Sequence, residues 1–173
     1  IEGLLKGATV ADGTFYGIGE SAGNTSLQTL VTLLVIKEDI LGLKVNVKLD
    51  NLYRTSEKIR KILKIKVADN TPVVGRNSFA HASGIHQDGV LKDENIYQPF
   101  SPRKIGRKGH KIILGYLSGK RGIDHILKKK FGVHLQEEKL LRVVKEFKEL
   151  SDTSEKPEKQ LLKIAAKYTK RQK

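Results

Sequence analysis

Phe79-Ala80-His81-Ala82-Ser83-Gly84-Ile85-His86-Gln87-Asp88-Gly89-Val90-Leu91-Lys92 is the stretch on which the reading of this chain turns. It holds two of the five histidines. Its two glycines, Gly84 and Gly89, would each cost about 1 kcal/mol inside a helix. A run of this composition suits close backbone approach, or an exposed ring held at a fixed place. The plain alternative is a packed helix with incidental histidines. If residues 81–92 are helical, His86 shares a face with Ser83 and Val90, while Asp88, two positions on, points elsewhere. A partner for the His86 ring therefore has to come from outside the helix. Asn95 to Phe100 ends the segment and puts the phenol of Tyr97 close behind it.

Upstream lies a second glycine-rich stretch, Gly17-Ile18-Gly19-Glu20-Ser21-Ala22-Gly23-Asn24. Thr9 to Gly17 reads as a short buried strand before it. After it, Leu27, Leu30, Val31 and Leu34 fall on one helical face, with Thr25 and Gln28 spaced as a capping box. Strand, loop and helix form one βα unit whose loop sits where α/β proteins place ligands. Gly17, Gly19 and Gly23 fit neither the dinucleotide fingerprint nor a Walker loop. Glu20 and Asn24 carry the polar side chains of the loop, and both are oxygen donors suited to a divalent cation. Position alone favours Asn24 as the helix cap.

The chain has 173 residues, about one domain and too short for a barrel of eight strands and eight helices, which takes roughly 250. It has no cysteine, so a disulfide framework and thiolate metal ligation are both excluded. No apolar run approaches a membrane span, the first residues do not read as a signal peptide, and a cytoplasmic address is expected. Ile1 to Leu5 reads as a helix already under way, as in a fragment, a split subunit or a processed piece. Lys and Arg number 33 against 19 Asp and Glu, a formal charge of +14. Such a balance suits nucleic acid, but aromatics make up only 6%, with no stacking platform or zinc-finger spacing. A polyanionic small molecule, such as a nucleotide-bearing thioester, suits it as well.

Gly42 to Leu49 reads as a linker or edge segment. Leu52, Ile59, Ile62 and Leu63 mark an amphipathic helix, which Asn70-Thr71-Pro72 breaks. After Pro102 comes a basic loop, Arg103 to Lys111, and then the apolar run Ile112 to Gly115. Ser118 is placed to cap a helix carrying Ile123, Ile126, Leu127 and Phe131, stopped by Gly132. Leu140, Val144 and Phe147 mark another helix, Ser151 to Pro157 a polar break, and Leu161, Ala165 and Tyr168 a last one. No internal repeat is visible.

The two glycine-rich stretches, with Leu117-Ser118-Gly119-Lys120 behind them, resemble the homocitrate synthase / 2-isopropylmalate synthase family in order and interval over nearly the whole chain. The resemblance implies a fold class: an α/β fragment, the end of a TIM barrel, followed by a mostly α-helical C-terminal region. The expected domains are residues 1–40 (last βα unit), 41–100 (a helical subdomain carrying His86) and 101–173 (a small, mostly helical subdomain). The family condenses acetyl-CoA with a 2-oxo acid and hydrolyses the thioester. By the same resemblance Asn24 takes the place of an asparagine metal ligand, which reverses the cap preference. His86 and Tyr97 match a histidine and a tyrosine that assist proton transfer on the thioester and reach into a partner protomer's barrel. Glu20, Gly17 and Gly19 line the substrate or acyl-CoA side. The implied cofactor is a divalent metal (Zn, Mg or Mn).

Two departures accompany the resemblance. Ser21 stands where the family loop carries an arginine. The family's Arg-Asp pair, its metal-binding aspartate and its His-x-His ligands are absent from this sequence. The metal would thus be held mostly by residues outside it, and the chain alone is expected to be inactive. The expected partners are acetyl-CoA, a 2-oxo acid, a chain supplying the rest of the barrel, and a second copy in a homo-oligomer, with no membrane. Homocitrate synthase is the favoured member, because the chain ends soon after residues 161–168 with no room for the regulatory domain of isopropylmalate synthases. 2-Isopropylmalate or citramalate synthase is the alternative, and a non-catalytic assembly or nucleic-acid-binding module is a reading from another class.

Overall fold

The computed structural model describes residues 1–150 and 156–169. The expected polar break at 151–157 falls largely outside the described residues. By internal contacts the chain divides into two compact units, one of residues 1–79 with 100–109, the other of 80–99 with 110–173.

The first unit opens with a short helix α1 (Glu2–Leu5). The strand expected over residues 9–17 does not form. What remains of it is a single parallel bridge, Thr14 to Ser26, in which Thr14 N–H donates to Thr25 O at 3.0 Å and Leu27 N–H to Thr14 O at 2.9 Å. Extended backbone needs a neighbouring ladder for its N–H and C=O groups, and among the described residues no strand lies alongside. Phe15–Gly17 instead turns through a 3₁₀ segment with Tyr16 left-handed at φ 61.

Helix α2 (Leu27–Ile36) follows as expected, burying Leu30, Val31 and Leu34. The expected capping box is not made. Ser26 is the N-cap, with no side-chain bond to the helix backbone. Gln28 is fully buried, and its Oε1 accepts from Tyr16 N–H at 2.9 Å and from Ser26 Oγ at 3.1 Å. A tertiary donor thus takes the group that a cap would have used.

Helices α3 (Glu38–Leu41) and α4 (Leu52–Ile62) complete the first unit's regular structure. Only part of the α4 stripe is buried. Leu52 and Ser56 face inward, but Ile62 and Leu63 are 76% and 50% exposed, contrary to the sequence pattern. The unit's core gathers Val31, Leu49, Leu52, Phe79 and Ile105, with Phe15, Leu27, Val35, Val73 and Phe100 packed against it. Ile105 comes from the stretch read as a basic loop. There a 3₁₀ turn, Pro102–Ile105, drives the isoleucine inward.

The second unit is built on two parallel two-residue strands, β1 (Ala80–His81) and β2 (Lys111–Ile112), paired Ala80 to Lys111 and His81 to Ile112. Helix α5 (Gly84–Lys92) leaves β1. Helices α6 (Lys120–Phe131), α7 (Glu137–Leu150) and α8 (Pro157–Thr169) pack in sequence. Their shared core is Leu114, Ile123, Leu127, Leu140, Val143, Phe147, Leu161, Ile164 and Ala165. The 3.6-residue spacing of these positions is the helical stripe the sequence displays. Gly132, left-handed at φ 65, stops α6. Its cap is Gly119 and not Ser118, which is buried and spends its Oγ elsewhere. No helix among the described residues is long and apolar enough to cross a membrane.

Candidate functional site

In the first unit the glycine loop closes on Asn24. Its Nδ2 donates to Ser21 O at 3.3 Å. The loop folds so closely that a Cβ on Gly17, already left-handed at φ 68, would lie 2.7 Å from Asn24 O, and one on Gly19 would overlap the Asn24 amide. Asn24 is exposed and lies two residues before the true cap, Ser26, so the capping role read from position is not the one it takes. Glu20 and Gly19 are also exposed. Asn24 Oδ1 remains as one neutral oxygen donor. Divalent cations of the oxygen-seeking kind take six or more ligands, and among the described residues no three His, Cys, Asp or Glu side chains are grouped to hold one. The residues present therefore do not make a metal centre by themselves.

In the second unit α5 presents His86 to solvent, with the ring of Tyr97 beside it, centroids 4.4 Å apart and planes at 45°. Tyr97 is 54% exposed and sits at φ 65. Asp88 turns away from His86, as i and i+2 positions must. It pairs instead with Lys92 at 3.0 Å and with Arg121, and these cations hold its carboxyl below the usual range, the Lys92 bond first. Val90 does not share the solvent face with His86; it is buried at 2%.

The helix is aimed by a buried glutamine that the sequence reading passed over. Gln87 Nε2 donates to Ala82 O and Ile113 O at 2.9 Å and reaches His81 O and Ser118 Oγ at 3.2 Å, while its Oε1 accepts from Gly119 N–H at 3.4 Å. Ser118 Oγ in turn accepts from Gly115 N–H at 3.0 Å. One side chain thus ties the start of α5 to the residue that follows β2 and to the start of α6. The signal was available: Gly84, Gln87 and Val90 recur every third residue, and a small, a polar and an apolar residue on one helical face mark a buried seam. His81 is buried behind the helix, its ring 6.1 Å from that of His110. Burial, and secondarily His110, push His81 toward the neutral form. An imidazole in solvent beside a phenol, as at His86, is a geometry fit for moving a proton.

Residues 73–155 match the family model described as homocitrate synthase post-HMGL domain-like. The chain is 39% identical over 152 residues to the 2-isopropylmalate synthase of Acetivibrio thermocellus, covering 88% of this chain and 30% of that protein. It is 42% identical over 155 residues to that of Pyrococcus furiosus, with 88% and 30% covered. It is 42% identical over 127 residues to that of Buchnera aphidicola subsp. Schizaphis graminum, with 73% and 24% covered. Over most of its length the chain thus aligns with synthases. The chain belongs to the homocitrate synthase / 2-isopropylmalate synthase family. It spans less than a third of the length of the curated relatives it matches.

Proposed function

We propose that this chain is the C-terminal part of a 2-isopropylmalate synthase, comprising the end of its barrel and the helical regions that follow. The whole enzyme joins acetyl-CoA to a 2-oxo acid carrying an isopropyl side chain. The observation that carries the reading is the 39–42% identity over 88% of the chain to proteins named 2-isopropylmalate synthase. This favours the alternative over homocitrate synthase. The argument for homocitrate synthase rested on where the chain ends, and the relatives give it no support.

In this reading His86 exchanges protons with the bound thioester and Tyr97 fixes the imidazole. Asn24 supplies one oxygen to a divalent metal whose other ligands lie outside this chain. Glu20, Gly17 and Gly19 border the substrate. The exposure of His86 supports the reading, because a ring sealed in the core could not serve another polypeptide's pocket. Ile85, Tyr116 and Leu117 are 73%, 56% and 63% exposed, as suits a second copy covering that end of α5. The fragment alone is inactive because one asparagine and one histidine do not complete the chemistry.

The test supplies the chain with a barrel half from one of the relatives and follows release of the CoA thiol. Turnover is expected with both polypeptides and with neither alone, and His86→Gln should lower it about 100-fold or more, the scale of general acid–base contributions. Turnover by the purified chain alone, or an unaffected His86→Gln mixture, would overturn the proposal. A mixture without turnover, in which the chain instead binds tRNA with steep salt dependence, would move it to the class of binding modules.

A further inference from the structure

Gly89 lies inside α5, where alanine would ordinarily be the better helix former. Its backbone does not require glycine, since it is not among the residues at positive φ. Nor does its face belong to the core, for it lies one turn beyond His86 on the solvent side. What occupies that face is the Tyr97 ring. A Cβ on Gly89 would stand 2.5 Å from Tyr97 Cε2 and 3.0 Å from Tyr97 Cδ2 and Ile96 Cγ2. One edge of the phenol therefore occupies the space over a bare Cα, and from that seat its ring centroid stands 4.4 Å from that of the His86 imidazole.

Folding alone gives no account of this glycine. Tyr97 is 54% exposed, so little burial is gained, and its left-handed backbone at φ 65 is a conformation that bulky residues rarely adopt. The 93–97 turn holds that conformation through Ile96 N–H to Asp93 O at 3.1 Å and Asn95 N–H to Asp93 Oδ1 at 2.9 Å. Behind it Gln98 Nε2 bonds Glu94 O. A strained turn, a helix position without a side chain and an exposed ring pair all serve one outcome, a phenol fixed against an imidazole.

We infer that Gly89 is a positioning residue whose missing side chain fixes the Tyr97 ring against His86. The catalytic value of that placement rests on the function proposed above; the placement itself does not. The atom an added methyl would strike is the far end of a side chain. The fold should therefore survive Gly89→Ala and the ring should swing away.

The test is proton NMR of the 173-residue chain, following cross-peaks between the His86 and Tyr97 rings and the His86 titration curve. Gly89→Ala should unfold at the same or a higher temperature, lose the ring-to-ring cross-peaks, and titrate His86 as Tyr97→Ala does. In a Tyr97→Ala background Gly89→Ala should leave the His86 curve where it was. Retained cross-peaks with an unchanged curve, an effect as large without Tyr97 as with it, or a collapse of the fold would each overturn the inference. In the two-polypeptide assay, Gly89→Ala should lower kcat about 100-fold, the scale of a 1 Å misplacement, with KM for acetyl-CoA little changed. Should the unsubstituted mixture show no turnover, the functional reading fails while the NMR result decides the placement independently.

Discussion

Gly84 and Gly119 meet backbone to backbone: a Cβ on Gly84 would stand 2.8 Å from both Cα and N of Gly119. The contact is sealed by Gly84 N–H donating to Leu117 O at 2.8 Å. It brings the first residue of α5 against the N-cap of α6, and so sets the angle at which His86 is presented. Because the obstructing atoms are backbone, nothing can swing aside. Gly84→Ala should therefore cost about 2 kcal/mol despite its better helix propensity, the usual scale of overpacking. On a chain of this size that lowers the melting temperature by about 4–8 °C. Calorimetry of the two proteins checks it, and an unchanged melt would show that the helices can separate freely.

Gln87 makes a sharper prediction, because its near-isosteric replacement has the wrong polarity. Its Nε2 faces the carbonyl oxygens of Ala82, Ile113 and His81. In Gln87→Glu a carboxylate oxygen would replace the donor, setting a buried charge against those acceptors. Gln87→Leu merely removes the glutamine's bonds to Ala82 O, Ile113 O and Gly119 N–H, while His81 O keeps its bond from Ile113 N–H, at about 1–3 kcal/mol per buried group left unpaired. Both variants should unfold at lower urea, with Gln87→Glu the lower near neutral pH and recovering when acid protonates it. Equal midpoints at all pH values would mean that water fills the seam.

The helices were legible because their burial follows the 3.6-residue period, and α2, α6, α7 and α8 lie where Leu30, Ile123, Leu140 and Leu161 place them. What was not legible depends on partners distant in sequence. Gln28 and Ser118 looked like cap chemistry, yet their oxygens answer Tyr16 and Gly115. The two-residue strands β1 and β2 are too short to show a period, and only their pairing makes them strands. His86 and Tyr97 could be named from the resemblance, but the bare Cα of Gly89 between them could not. A glycine in a helix reads as a weakness until the ring lying on it is seen.

His81 gives the second unit a pH dependence of definite sign. Burial first, and then His110, lower its pKa below the ordinary 6.5, while Gln98 opposes the shift and His86 adds to it. The unfolded chain thus binds the proton more readily than the folded one, and stability rises with pH in that window. The contribution is fully present above about pH 6.5 and is lost as pH falls toward the depressed folded value. His125 is lowered as well, by burial and then Lys129 and His110, and acts with the same sign. Urea midpoints should fall between pH 7.5 and pH 5. The His81→Gln variant should show a shallower slope, and the His81→Gln/His125→Gln pair a shallower one still. A slope unaltered in the double variant would assign the dependence to carboxylates.

Arg107 is one of the cations in the stretch that reads as a basic loop, yet it works as a structural clamp. Its guanidinium carbon lies 4.6 Å from the centroid of the Tyr53 ring and 5.4 Å from that of Phe79. Its two terminal nitrogens donate to Gly75 O at 2.7 Å and Arg76 O at 3.3 Å. A planar fork can stack on rings and bond two carbonyls at once, whereas an ammonium cannot. Arg107→Lys, which preserves the net charge, should therefore destabilise the first unit by about 1–2 kcal/mol, from a lost stacked cation and at least one lost bond to a charged donor. Neighbouring Lys108→Arg, at an exposed position, should change nothing measurable. Amide hydrogen exchange tells the two apart. Protection of Gly75 N–H, bonded to Thr71 O at 2.9 Å, and of Asn77 N–H, bonded to Asp69 O at 2.8 Å, should drop in Arg107→Lys alone. Equal protection in both variants would mean that charge, and not the shape of the guanidinium, holds the turn.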